Sequence, residues 1–119
     1  MTTIKEMMDF QRKFDDEHGW RWSANPDDKV RRLQEGVVCM TGELGEFANE
    51  LKKVIRHSER GFSTEELWAA MREELADVFI YFLKLADLLG MEIDEEYFAK
   101  MAKNAKRFEK FEVNGKSSE

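Results

Sequence analysis

The chain has one cysteine, one proline and seven glycines, and no apolar run long enough to span a bilayer. Each scarcity removes a class of protein. A lone thiol cannot close an intrachain disulfide, so a disulfide-stapled scaffold is excluded and a reducing, cytoplasmic compartment is expected. Val37, Val38 and Met40 surround Cys39, which makes it read as a small buried thiol rather than a nucleophile. Little proline and glycine leaves few tight hairpins, which argues against a sheet fold. The first ten residues contain Lys5, Glu6 and Asp9, so neither a secretory signal nor a membrane anchor is expected there. Cations do not dominate either. The net charge of -6 argues against a protein whose main task is to coat nucleic acid or an anionic membrane, because counterion release needs clustered Lys and Arg.

What the chain does have is charge interleaved with apolar residues at helical spacing. An all-α antiparallel bundle of about four helices follows, in a single domain over 1–111 with a polar, disordered tail over 112–119. The first helix is expected from about Thr3 to His18, with Ile4, Met7, Met8, Phe10 and Phe14 on its apolar face and Gly19 ending it. Asn25-Pro26-Asp27 is a helix start. From there Val30, Leu33, Val37, Met40, Leu44, Phe47, Leu51 and Val54 alternate steps of three and four, which predicts one long helix to about His57. Ser63 or Thr64 caps a third helix carrying Trp68, Met71, Leu75, Val78, Phe82, Leu85 and Leu89 up to Gly90. Asp94 can cap a fourth, with Tyr97, Phe98, Met101, Ala105 and Phe108. His18 and His57 show no ligand spacing and read as surface or capping groups.

Within the second and third helices stand two matched acidic quartets, Glu43-Leu44-Gly45-Glu46 and Glu74-Leu75-Ala76-Asp77. With Val30, Val37, Leu44 and Leu51 at heptad position "a", Glu43 is "g" and Glu46 is "c"; with Leu75 and Phe82 at "a", Glu74 and Asp77 repeat those phases. An i, i+3 step puts both acids of a pair on one face, and two antiparallel helices bring the matched flanks together. Clustered carboxylates repel unless a cation neutralises them, and oxygen donors of this kind suit Mg²⁺, with Mn²⁺ as a substitute. Gly45 sits mid-helix at a cost of ~1 kcal/mol against Ala, so a packing or ligand-access reason is expected for it. Charges at "g" and "c" are also normal on any solvated helix.

The two quartets in their contexts, Gly-Glu-Leu-Gly-Glu-Phe and Glu-Glu-Leu-Ala-Asp-Val, resemble the signature of the MazG-like all-α nucleoside triphosphate pyrophosphohydrolases, relatives of dimeric dUTPase and dCTP pyrophosphatase. The resemblance covers about residues 4–108. It implies that Glu43, Glu46, Glu74 and Asp77 hold Mg²⁺, that the substrate is a nucleoside triphosphate, and that cleavage between the α and β phosphates yields a monophosphate and pyrophosphate. The resemblance permits, without fixing it, that one of the first pair, Glu46 by choice, instead orients or deprotonates the attacking water. Tyr81, one turn beyond Asp77, matches the position that encloses the sugar or base, although a tyrosine at the edge of the core is an equal reading. Trp20 and Trp22 match aromatic residues placed over the base, or else plug the end of the bundle. Where some members carry a Phe-His pair this loop reads Trp22-Ser23-Ala24, which argues against the dCTP-specific branch. Lys103, Asn104 and Arg107 resemble the residues that close the triphosphate site, with Lys53 a secondary candidate beside Lys52 and Arg56; a solvated basic face is the alternative. Relatives pair through their helices, and the long apolar stripes exceed what a thin bundle covers, so a homodimer or homotetramer is expected. The rival reading is a non-enzymatic helical module that binds a partner helix through the same stripes.

Overall fold

The structure is a computed structural model that describes residues 1–20 and 25–111. The chain is all-α, with four helices: α1 (Ile4–Glu17), α2 (Pro26–Glu59), α3 (Glu65–Leu88) and α4 (Ile93–Arg107), followed by a 3₁₀ turn at Glu109–Phe111. Among the described residues no helix is long and apolar enough to cross a membrane. The expected tail over 112–119 and the Trp22-Ser23-Ala24 run lie outside the described residues.

Local chemistry accounts for the helix ends. Thr3 is the N-cap of α1, and its hydroxyl accepts from the Glu6 amide while the Glu6 carboxylate accepts from the Thr3 amide, a reciprocal box that satisfies two otherwise orphaned donors. The Asn25 side chain accepts from the Asp27 amide and Pro26 opens α2, as its fixed φ allows. Gly61 and Gly90 close α2 and α3 with positive φ, 73° and 66°. Two expected caps differ. Thr64 stands before α3 with no side-chain hydrogen bond, and Glu92, not Asp94, is the N-cap of α4, placing Asp94 inside its first turn.

The dominant packing is α2 against α3, with α1 laid on the other side of α3 and α4 touching α1. At the α1–α3 contact Met8, Leu83 and Ala86 form a small core, joined by Ile4, Phe82, Met91 and Ile93. The α1 face is narrower than its pattern predicts: Met7, Phe10 and Phe14 are exposed. No residue of α4 is buried, so its aromatic stripe lacks cover among the described residues. The radius of gyration, 19.1 Å, well exceeds the roughly 13–14 Å of a compact domain of this length.

The helix pair is rotated relative to its expected seam. On α2 the "d" and "g" positions Leu33, Gly36, Met40, Glu43, Phe47, Glu50, Val54 and His57 are buried or half-buried, with Arg32 and Cys39 half-buried beside them at "c". On α3 the "d" and "g" positions Leu67, Met71, Glu74, Val78, Tyr81, Leu85 and Leu88 are likewise buried or half-buried, while Phe82, Leu83 and Ala86 turn to the α1 contact. The "a" residues Val30, Val37, Leu44, Leu51, Trp68 and Leu75 are exposed. Gly36 explains part of this. A Cβ there would lie 2.7 Å from Leu85 Cδ2, so glycine lets α2 approach α3 along the "g" row.

Candidate functional site

The rotation carries chemistry with it. Because "g" faces the neighbouring helix, Glu43 and Glu74 stand in the α2–α3 seam rather than on its flanks, and Glu46 at "c" joins them from the rim. Ligand oxygens of these three acids all lie within 4.8 Å of one another. Glu43 Oε2 and Glu74 Oε2 are shielded from solvent and have no hydrogen-bond partner. With other carboxylates this close, a shared proton or a cation is what can satisfy them.

The electrostatics agree with that geometry. The Glu74 carboxyl is pushed up to about 7, first by hydrogen bonding with Glu43 and Glu46 in its protonated form, then by burial and by repulsion from the same two acids. A divalent ion would do the work of that proton, and the donor set, all carboxylate oxygen, fits Mg²⁺ or Mn²⁺.

Asp77 lies outside the set of three but on the same side of α3. Together with Glu43 it acts on Tyr81, whose hydroxyl is held above its usual range chiefly by burial, then by its hydrogen bond with Cys39. The phenol therefore stays a neutral donor beside the acids. Cys39 is half-buried against Tyr81 rather than sealed in the core.

Lys84, not singled out from the sequence, occupies the next turn after Tyr81. Its ammonium lies 4.5 Å from the Trp20 ring centroid and 4.9 Å from that of Tyr81, and 3.4 Å from Asp15 Oδ1. Asp15 is the one buried charged residue among those described, and it also accepts from Gln11 at 3.0 Å. Arg32 approaches the Trp20 ring as well, at 5.4 Å. Trp20 thus plugs the end of α1 against α2 and α3, which favours the second of its two expected roles. The signal for Lys84 was its spacing, three residues past Tyr81 and seven past Asp77, which keeps all three on one side of α3. An open groove of about 450 Å³ lined by Trp20, Arg32, Gln34, Glu35, Val38 and Cys39 reaches to within one turn of Glu43.

Other expected residues are not brought to the acids. Lys53 pairs with Glu50 at 3.3 Å along α2. Lys103, Asn104 and Arg107 ride on α4, which packs on α1 rather than on the α2–α3 pair; Arg107 instead lies over the Phe108 ring at 4.7 Å. In one chain the basic face of α4 therefore does not close the site. His57 also departs from a surface group: it is half-buried, Nδ1 has no partner, and its ring meets Phe62 edge-on at 5.9 Å. His18 does cap, with Nδ1 2.7 Å from the Phe14 carbonyl and its ring stacked on Phe14. Gly45 has no packing reason, since a Cβ there meets nothing within 4 Å.

Fold and cluster together define an all-α protein whose two longest helices enclose a group of carboxylates. In comparisons with known proteins, no family model matches the chain. The Gene 37 protein of Mycobacterium phage L5 is 34% identical over 68 residues, 57% of this chain and 59% of the phage protein. The match spans under two thirds of either protein.

Proposed function

We propose that the chain is a Mg²⁺-dependent nucleotide pyrophosphohydrolase of the MazG-like type, a cytoplasmic enzyme that cleaves (deoxy)nucleoside triphosphates between the α and β phosphates and works as a homodimer or homotetramer. One observation carries the reading: three carboxylates converge within 4.8 Å, and two of their oxygens are shielded and partnerless. A cation bound there would neutralise the triphosphate and acidify a water. Glu43 and Glu74 supply the inner oxygens, Asp77 extends the set, and Glu46, the exposed member, is placed to accept a proton from the attacking water. Tyr81 presents its hydroxyl toward a sugar, and the groove from Cys39 to Trp20 accommodates a base.

Incubation with a panel of nucleoside triphosphates, with and without Mg²⁺, and resolution of the products test the proposal. It expects monophosphate and pyrophosphate only with metal; the absence of metal-dependent turnover on every nucleotide would refute it. A second reading, a helical interaction module without activity, draws on the extent of exposed apolar surface. Thermal unfolding separates the two, because an ion that binds only the folded site raises the melting temperature and scattered surface acids do not.

A further inference from the structure

We propose that Lys84 is a positioning residue of the groove beside the acids: held by Asp15, its ammonium ties the Trp20 ring to the Tyr81 ring, so that the groove wall and the hydroxyl near the acids are set together. This role rests on the nucleotide reading for the identity of the ligand and on geometry alone for the tie.

Packing does not require a lysine at this position. The Lys84 side chain is 13% exposed, and an apolar residue of similar length would join α1 to α3 without drawing an ammonium out of water. Its partners come from separate parts of the chain. Asp15 Oδ1 lies 3.4 Å away, and the Trp20 and Tyr81 ring centroids lie at 4.5 Å and 4.9 Å. Asp87, one turn further along α3, is taken by Arg12. The niche left between Arg12, Asp15, Trp20 and Lys84 is about 10 Å³, room for roughly one water, so the ammonium is confined where it stands.

Each partner leads to a different part of the site. Asp15 is itself fixed: its carboxylate accepts from the Gln11 side chain at 3.0 Å and its carbonyl accepts from the Trp20 amide at 2.9 Å. Trp20 lines the open groove, and its ring edge reaches α2 at Gly36, where a Cβ would stand 4.0 Å from Cη2. Tyr81, one turn before Lys84, shares a hydrogen bond with Cys39 on the wall of the same groove, and Glu43 and Asp77 act on its hydroxyl. A cation is attracted to each ring face, so the phenol is gripped at its ring by Lys84 and at its hydroxyl by Cys39. Lys84 lies about 15 Å along α3 from Glu74, too far to touch an ion held by the acids. Its effect on a bound ligand therefore passes through the two rings.

Replacing the ion pair as a unit separates positioning from stability, because Lys84→Met/Asp15→Asn leaves no buried charge without its partner. That double variant should unfold close to the wild-type urea midpoint. Cys39, the single cysteine, reports on the Tyr81 hydroxyl: its alkylation by iodoacetamide in the folded protein should be about two- to tenfold faster in the double variant, the range that one hydrogen bond spans. Lys84→Arg, which keeps a cation able to stack on both rings, should alkylate at the wild-type rate. On a nucleotide that the wild type turns over, the double variant should raise KM about tenfold and hold kcat within about twofold, and Lys84→Arg should restore KM. The Mn²⁺-induced thermal shift should persist in every variant. Where the double variant fails to fold, Lys84→Gln, whose amide still donates to Asp15, is read in the same way. A folded variant without the cation that alkylates at the wild-type rate overturns the tie, as does a folded Lys84→Arg protein that alkylates as fast as the double variant. A loss confined to kcat overturns the positioning role. A wild type that turns over no nucleotide refutes the pyrophosphohydrolase reading, and the Cys39 rate then decides the tie by itself.

Discussion

Gly36 and Gly45 occupy the same helix, and the structure assigns them opposite responses to one added methyl group. In a helix interior, replacing glycine by alanine gains roughly 0.5–1 kcal/mol, because glycine loses more backbone freedom on folding. At Gly45 a Cβ meets nothing within 4 Å, so Gly45→Ala keeps the whole gain. That should raise the melting temperature by about 2–4 °C for a domain of this size. At Gly36 the Cβ falls 2.7 Å from Leu85 Cδ2 and 3.3 Å from Leu85 Cγ. Both atoms lie in the α2–α3 seam, where overpacking costs about 1–3 kcal/mol, so Gly36→Ala should lose as much as it gains or more. The two variants should differ by about 1–3 kcal/mol. Urea unfolding followed by circular dichroism, at one fixed protein concentration, reads the difference. Equal stabilities, or a Gly36→Ala protein more stable than Gly45→Ala, would refute the rotated seam, and the placement of Glu43 and Glu74 inside it would fall too. Gly45→Ala should also leave Mn²⁺ binding unchanged, since its methyl group faces away from the acids.

The Glu74 carboxyl sits at about 7 in the folded chain against 4.5 as its ordinary value. Between those values the folded protein holds a proton that the unfolded chain has released, so in metal-free protein this contribution to stability declines as pH rises from 4.5 through 7 and its loss is complete above 7. Glu74→Gln should flatten that part of the pH–stability curve, and Mn²⁺ above pH 7 should restore what the wild type lost; an unchanged slope in the variant would sink the assignment. Glu46→Gln should abolish metal-dependent turnover and shrink the Mn²⁺ thermal shift, whereas Asp77→Asn, outside the set of three, should reduce turnover with a smaller effect on the shift; calorimetric titration beside the assay checks both. Asp15→Ala should cost about 3 kcal/mol in urea unfolding, because it strands the Lys84 ammonium between two rings with its carboxylate gone.

The helices and their starts were readable because their signals are local. The Thr3 and Glu6 box, the Asn25 cap and Gly61 and Gly90 each act within a few residues. The seam was not readable for the converse reason. An apolar stripe of "a" and "d" can serve neighbours on either flank, and nothing on α2 alone says which flank its own chain will cover. Gly36 decides it, but its meaning depends on Leu85, on another helix, and becomes visible only when the two are placed together. The acids shared this fate. Matched phase correctly paired Glu43 with Glu74, while their depth in the seam followed from the rotation. Lys84 was overlooked because an isolated lysine on a helix ordinarily reads as solvated; Trp20 and Asp15, distant in sequence, make it a half-buried cation.

Placing like charges in a helix seam needs a reason, because apolar residues at "g" would stabilise the pair more readily. Glu43 and Glu74 occupy adjoining seam positions, Glu46 crowds the same point, and no basic side chain pairs with them among the described ion pairs. A chain that meant only to solubilise its surface would leave these acids at "b", "c" and "f", where water screens them. Brought together, Glu43 and Glu46 raise the proton affinity of Glu74, and the proton it holds is a vacancy that a divalent cation can take near neutral pH. The opposite side of the same two helices is free of this conflict and nearly free of charge. That division makes a contrast available: Val37→Asp/Leu51→Asp, on the opposite face, should leave the Mn²⁺ thermal shift in place, and Glu74→Gln should remove it. Variants that failed to divide along this line would show that the two faces are one site.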